Sequence, residues 1–485
     1  MGVRADGSLA IAGRPVKLLD RGLQYETGAC PVASVVETAA VSGLHRGLKR
    51  RHMEMIALGG VIGAGLFVGS GVVVHQAGPA AVLSFAMTGV VVVLVMRMLG
   101  EMAAANPAMG GFYEYSRLAL GNFAGYMTGW MYWYFWVIVV AMEALAGARI
   151  LGAWLPQLPP WSLTLGLMLL FTALNLLSVR SWGETEYWFA SIKVTAITLF
   201  LIAGALYLLG LWPGPTPGLA NLTAHGGFMP LGLAPVLSGA VAATGFYFGA
   251  ELVTVAAAES AEPERSIARA THSVIARVLV FYVGSVFIVV SVLPWNDAGI
   301  AQPYVSALAA LHVPAGARIM NLIILTAVLS ALNSGLFGSS RTLLAMARRG
   351  DAPAFLGRLS ARGVPTRAIL VGTALGYVAV LMNYLSPDRV FPFIVNSYGT
   401  VAIFVYVLIA LSQLTLRPRL EREAPAGGLR LKMWGYPWLT LLTLAAMLTI
   451  VTAMGFIPDQ RLALWFGLGS AALMAAGYLF KRGVI

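Results

Sequence analysis

Past a mixed opening segment, the chain reads as long apolar runs cut by short polar breaks. Twelve runs are legible, at about 53–75, 80–104, 123–152, 161–179, 186–210, 234–258, 273–294, 317–346, 367–385, 390–413, 435–454 and 461–480. They are near-continuous, without the period-two alternation of a membrane barrel, and each approaches the roughly 20 residues a helix needs to cross hydrocarbon. The pattern predicts an all-α integral membrane protein with twelve transmembrane helices. The longest outer connection, 211–232, has no Lys, Arg, Asp or Glu and contains Pro213, Pro215, Pro217 and Gly226–Gly227. It separates five runs at about 53–210 from five more at about 234–413, with two further helices at about 435–480. Residues 1–45 lack helical periodicity and are expected to form an N-terminal cytoplasmic tail, read as a disordered extension, a start codon assigned too early, or a regulatory arm. The transmembrane domain is expected over 46–485.

Composition narrows the class. Hydrophobic residues make up 59% of the 485 and charged residues 11%, with a mean hydropathy of +0.80. A soluble globule is roughly 25% charged, and a disordered chain needs low hydrophobicity, so both are excluded. The net charge of +12 fits either nucleic acid or an anionic membrane face. Placement decides between them. With the N-terminus cytoplasmic, 28 of the 32 Lys and Arg fall inside, leaving only Arg149, Arg318, Arg389 and Arg461 outside. That bias is the positive-inside rule, and its juxtamembrane clusters face anionic lipid, so no nucleic-acid partner is implied. It places both termini inside a plasma (inner) membrane. The first 45 residues hold no apolar run of signal-peptide length. The single cysteine, Cys30, forms no intrachain disulfide.

Several intramembrane positions carry candidate chemistry. The first run holds Gly59, Gly60, Gly63, Gly65, Gly69 and Gly71 around its middle. Glycine weakens a helix, and backbone freed in hydrocarbon must find partners, so this helix is expected to be broken and to offer N–H groups to a carboxylate. Close packing through GxxxG pairs is the alternative. No Lys-Ser/Thr follows the glycines, which argues against a phosphate loop. The sixth run repeats the pattern at Thr244–Glu251, and matching breaks in two halves point to a transporter site. Glu251 reads either as a binding group or as a structural carboxylate bonded to the first helix's free backbone. Lys193, in the fifth run, is a candidate for proton coupling, with snorkelling as the alternative. Glu101 follows Arg97 by one helical turn, and a local ion pair is the plain reading. Glu143 lies deep in the third run with no obvious partner. Glu259 precedes Pro263, where an inner-gate or loop contact is expected. The aromatic run Trp130–Trp136, with Trp133 at its centre, sits too deep for an interfacial belt alone and reads as core packing or cavity lining. The six histidines lack ligand spacing, and neither HExxH nor GxSxG occurs, so no metal, cofactor or enzyme is indicated.

These residues also resemble a known family. Leu48-Lys49-Arg50-Arg51-His52, Leu99-Gly100-Glu101-Met102 with Gly110-Gly111-Phe112, and Gly249-Ala250-Glu251-Leu252 followed by Ala257-Ala258-Glu259-Ser260 resemble amino-acid permeases of the amino acid–polyamine–organocation superfamily. The closest likeness is to 4-aminobutyrate (GABA) permeases, carried by Trp133–Ala146, Asn175–Val179, Val253–Ser260, Leu329–Gly335, Arg349–Pro353 and Asn383-Tyr384. The sequence departs at Tyr398, where a small residue is expected, and that bears on substrate identity. The resemblance implies a leucine-transporter-type 5+5 inverted repeat with two extra helices, alternating access and proton-coupled import of a zwitterionic amino acid. It implies that Ile62, Gly63, Ala64 and Gly65 hold the substrate carboxylate. Phe246, Tyr247, Phe248 and Gly249 would form the opposing segment and gate. Lys193 would serve coupling, and Glu251 would help place the amine. The rivals are another amino acid (aromatic or small neutral), a non-transporting sensor, and a channel. The implied partners are the substrate, protons and membrane lipid; the sequence leaves the oligomeric state open.

Overall fold

The structure is a computed structural model. It describes residues 9–11, 14–16, 51, 52, 55, 62, 63, 65–105, 112–177, 179–214, 216, 218–252, 254, 279–424, 428, 429 and 431–483. For 9–11, 14–16, 179–181, 387–398, 459 and 482 only the backbone is described.

Two units are distinct, residues 1–40 and 41–485. In the first, β1 (Leu9–Ile11) pairs antiparallel with β2 (Arg14–Val16), Leu9 opposite Val16. The tail expected to lack structure thus holds a short hairpin, a form that is marginally stable by itself.

The second unit is helical. Its helices are α1 (Ser70–Ala77), α2 (Ala81–Ala105), α3 (Phe112–Leu120), α4 (Asn122–Trp154), α5 (Pro160–Leu177), α6 (Val179–Leu208) and α7 (Leu233–Tyr247). They continue with α8 (Ser285–Val292), α9 (Pro303–Ala310), α10 (Gly316–Arg348), α11 (Thr366–Leu385), α12 (Pro387–Glu423), α13 (Trp438–Phe456) and α14 (Pro458–Gly483). Among the described residues nine helices are long and apolar enough to cross a membrane, and two apolar helices are shorter. The first two predicted runs join as one stretch over Gly65–Ala105, linked by the 3₁₀ turn Gly78–Ala80. Gly78 takes a positive φ of 67° there, open to glycine without strain. Within the sixth run α7 ends at Tyr247, and among the described residues that follow, Leu252 and Thr254 are again helical.

Burial orders the bundle. The membrane-length window of α4 is 78% buried and that of α14 only 17%. The protein centre therefore forms around α4, and α14 lies at the periphery facing lipid. α4 and α10 make the most extensive helix pair. They pack through Val140, Ala144, Leu332 and Leu336, with Met168 and Phe171 from α5. Gly335 allows this approach, since a Cβ there would lie 2.8 Å from Val140. Small hydroxyls tie α2 to α7: Ser84 donates to the Val236 carbonyl at 2.7 Å and Thr88 to that of Ala240 at 2.9 Å. With no water in hydrocarbon, such hydroxyls find backbone acceptors on their neighbours.

Candidate functional site

The chain is not helical at Ile62 and Gly63, and a π-helical turn over Gly65–Gly69 leads into α1. The break frees the Ile62 carbonyl. Lys193, fully buried on α6, donates to that oxygen at 2.8 Å and to the Ser330 hydroxyl on α10 at 2.8 Å. Ser330 in turn donates to Glu186 Oε1 at 2.6 Å. A lysine at this depth does not snorkel; it supplies donors that hydrocarbon cannot.

The second break follows α7. Phe248 is extended (φ −67°, ψ 139°), and Gly249 turns the chain with φ 127°, a conformation suited to glycine. Both oxygens of the buried Glu251 accept the Gly249 N–H, at 3.0 and 3.1 Å. Among the described residues the carboxylate therefore serves the backbone of its own segment. Tyr132 lies beside it.

The two breaks face each other across one aromatic ring. A Cβ on Gly65 would lie 2.6 Å from Phe246, and a Cβ on Gly69 would collide with the tip of the same ring. The glycines make the flat surface against which Phe246 lies. The Phe246 carbonyl accepts from the Tyr282 hydroxyl at 2.7 Å.

A cavity of about 30 Å³ lies between the breaks, lined by Gly63, Gly65, Phe135, Trp136, Glu143, Phe246, Phe248 and Ala331 among others. Space of this size admits about two waters. An amino acid requires these walls to part. Glu143 is buried, and its Oε1 lies 3.0 Å from where a Cβ on Gly63 would stand. A carboxylate, aromatic walls and the non-helical backbone at Gly63 thus line one small cavity.

The remaining expected residues fall elsewhere. The Tyr247 hydroxyl donates to the Phe85 carbonyl at 3.0 Å, and its ring stacks on Tyr282 at 4.3 Å. Trp133 packs edge-on against Trp130 at 5.3 Å, beside a cluster containing Tyr113 and Leu343. Phe135 and Trp136, a little further along α4, take the cavity positions instead. Glu101 does not form its main pair with Arg97. It binds the buried Arg417, and accepts from Gln413 at 2.8 Å and from the Met433 N–H at 2.5 Å. Arg97 donates to the Lys432 carbonyl at 2.7 Å and lies over Trp434 at 4.6 Å. Ala64 and Glu259 lie outside the described residues, as does the side chain of Tyr398, whose backbone is part of α12.

Sequence reasoning missed Glu186 and Ser330. Glu186 precedes Lys193 by two helical turns on the same face, which is a readable signal. It stands at the very start of the fifth predicted run, where an acid does not stand out as intramembrane.

A second charged cluster gathers where α3, α10 and α14 end. Asp351 binds Arg117 and Tyr113, and Lys481 donates to its other oxygen at 2.7 Å. Arg349 pairs with Glu114 at 2.9 Å. Burial pushes the Tyr113 phenol well above its ordinary value, so it stays protonated and donates. No cluster of His, Cys, Asp and Glu suited to a metal occurs among the described residues.

Comparison with known proteins follows from this geometry. The family described as amino acid permease matches residues 52–481. The gamma-aminobutyric acid permease of Bacillus subtilis is 51% identical over 87% of this chain and 90% of its own length. That of Escherichia coli is 44% identical over 89% and 92%. A manganese transporter from Eremococcus coleocola shares the fold, with a TM-score of 0.55 at 13% identity, over 94% of this chain and 99% of that one.

Proposed function

The chain belongs to the amino acid permease family, a family of membrane transporters rather than enzymes, and on that premise we propose that it imports 4-aminobutyrate together with protons. The observation that carries this reading is the small cavity between two helix breaks, with Glu143 at its wall and Lys193 bound to the first break. The substrate assignment rests on the two 4-aminobutyrate permeases described above.

The carboxylate of the substrate binds at Ile62, Gly63, Ala64 and Gly65, where helix-terminal N–H groups favour an anion. Its ammonium turns to Glu143. Glu251 keeps the second break in shape through Gly249. Phe246 and Phe248 form the gate, and their displacement admits the substrate. Protonated Lys193 holds the Ile62 carbonyl to Ser330; loss of the proton weakens that tie and eases movement of the break. The layout is twelve spans in a 5+5 inverted repeat plus two, working by alternating access, with both termini cytoplasmic and cationic clusters against anionic lipid. No tight cofactor takes part.

The test is uptake of labelled 4-aminobutyrate into proteoliposomes with an inward proton gradient, with and without protonophore, against unlabelled competitors. Saturable uptake abolished by protonophore and resistant to aromatic amino acids is expected. Vesicles that accumulate a different amino acid instead would overturn the substrate, and saturable binding without counterflow would make the protein a sensor. Flux that neither saturates nor responds to trans substrate would make it a channel.

A further inference from the structure

The break at Ile62 is tied to more than one titratable group. Lys193, Ser330 and Glu186 form an unbroken hydrogen-bonded chain, with links of 2.8 and 2.6 Å. All three side chains are fully buried. Lys193 is faced by Glu186 and Glu143, and Glu186 by Lys193, Ser330, Asn333 and Ser334. Glu186 Oε2 is buried and accepts no hydrogen bond among the described residues, so one oxygen of the carboxylate is open to a proton. Along α6, Glu186 lies about 10 Å from Lys193, toward the end where Glu184 meets Arg51. By the cation distribution this is the cytoplasmic end.

We propose that Glu186 is the proton acceptor of Lys193, reached through the Ser330 hydroxyl. This deepens the proton-symport reading and rests on it. One Lys193 N–H proton passes to Ser330 Oγ as the Ser330 hydroxyl proton passes to Glu186. Lys193 becomes a neutral amine, the Ser330 hydroxyl is restored, and Glu186 becomes a neutral acid. No net charge moves into or out of the buried chain, so the step avoids stranding an unpaired ion. The neutral amine donates more weakly to the Ile62 carbonyl, which links proton departure to release of the break. Glu186 then yields the proton to the cytoplasmic side when that side opens.

Glu186→Gln keeps an oxygen to accept from Ser330 but cannot take the proton. Purified variants in proteoliposomes are assayed with labelled 4-aminobutyrate in two modes: counterflow without a gradient, and accumulation driven by a proton gradient. Counterflow needs no net proton transfer. Glu186→Gln is expected to retain counterflow within about threefold while losing at least about tenfold in driven accumulation. Glu186→Asp is expected to restore a good part of the accumulation, and Ser330→Ala to lose it. Glu186→Gln accumulating as well as wild type overturns the proposal. Loss of both modes together in Glu186→Gln also overturns it, assigning Glu186 a scaffold role. Wild-type vesicles that exchange 4-aminobutyrate but never accumulate it under the gradient overturn the symport reading itself, an outcome distinct from either.

Discussion

At the scale of single residues, two buried carboxylates are candidates for a substrate ammonium, and their hydrogen bonds differ. Glu143 borders the cavity, whereas Glu251 spends both oxygens on the Gly249 N–H. Glu143→Gln is expected to raise KM roughly 10- to 100-fold, the equivalent of the ~1.5–3 kcal/mol that a hydrogen bond to a charged group contributes. Glu251→Gln keeps an acceptor for Gly249, so uptake should stay within about fivefold, since a neutral hydrogen bond is worth about 1 kcal/mol. A complete loss in Glu251→Gln with normal kinetics in Glu143→Gln would reverse the two roles. Gly65→Ala brings a methyl to 2.6 Å from Phe246, and overpacking of this kind is worth about 1–3 kcal/mol. Its uptake rate should drop about tenfold while the protein still inserts and purifies. Lys193 was legible as a lysine deep in an apolar run. The hydrogen bonding of Glu251 and Glu143 was not, because spacing along a chain does not say which way a carboxylate turns at a break.

At the scale of elements, the breaks themselves were legible. Glycine density at Gly59–Gly71 and Thr244–Glu251 foretold non-helical backbone; Ile62 and Gly63 are non-helical, and α7 ends at Tyr247. What the pattern missed depends on long-range pairing. Glu101 invites a local bond to Arg97, yet its cation is Arg417, 316 residues away on α12. Once Gln413, Arg417 and the Met433 N–H surround that carboxylate, α2, α12 and the approach to α13 share one anchor. Arg417→Ala leaves Glu101 buried without its cation, and breaking a buried pair typically costs about 3–5 kcal/mol. The variant should melt well below wild type in detergent. The double substitution Glu101→Gln with Arg417→Met should recover much of that loss, because a neutral pair carries no stranded charge. A double variant as unstable as Arg417→Ala would show that the geometry of the pair, not its charge, holds the three elements together.

At the scale of the whole molecule, orientation is the property that sequence and structure approach from different directions. The cation count puts 28 of 32 Lys and Arg on one side and leaves the connection 211–232 on the other. The fold gathers the same ends independently. Arg117, Asp351 and Lys481 meet where α3, α10 and α14 end, all segments that the count places inside. On the opposite side, Trp212 donates to the Leu311 carbonyl at 2.9 Å, Asn221 to that of Ser291 at 2.9 Å, and Trp295 to that of His225 at 2.9 Å. Those contacts join the connection 211–232 to the one between α8 and α10, both assigned outside. Hydrogen bonds group these connections but do not say where the membrane is. The charge rule alone says which face is cytoplasmic, since translocation of short cationic segments is disfavoured. Alkaline phosphatase inserted after Gly218 should be active in a bacterial host, and the same reporter fused after Ile485 should be inactive, with a fluorescent protein showing the reverse. The tail offers a third point: a reporter at Met1 should match the one at Ile485, because an even number of spans returns the chain to its starting side. Reporters of opposite sign at the two termini would require an odd number of spans and would remove the twelve-helix layout, while leaving the cavity between the breaks as it stands.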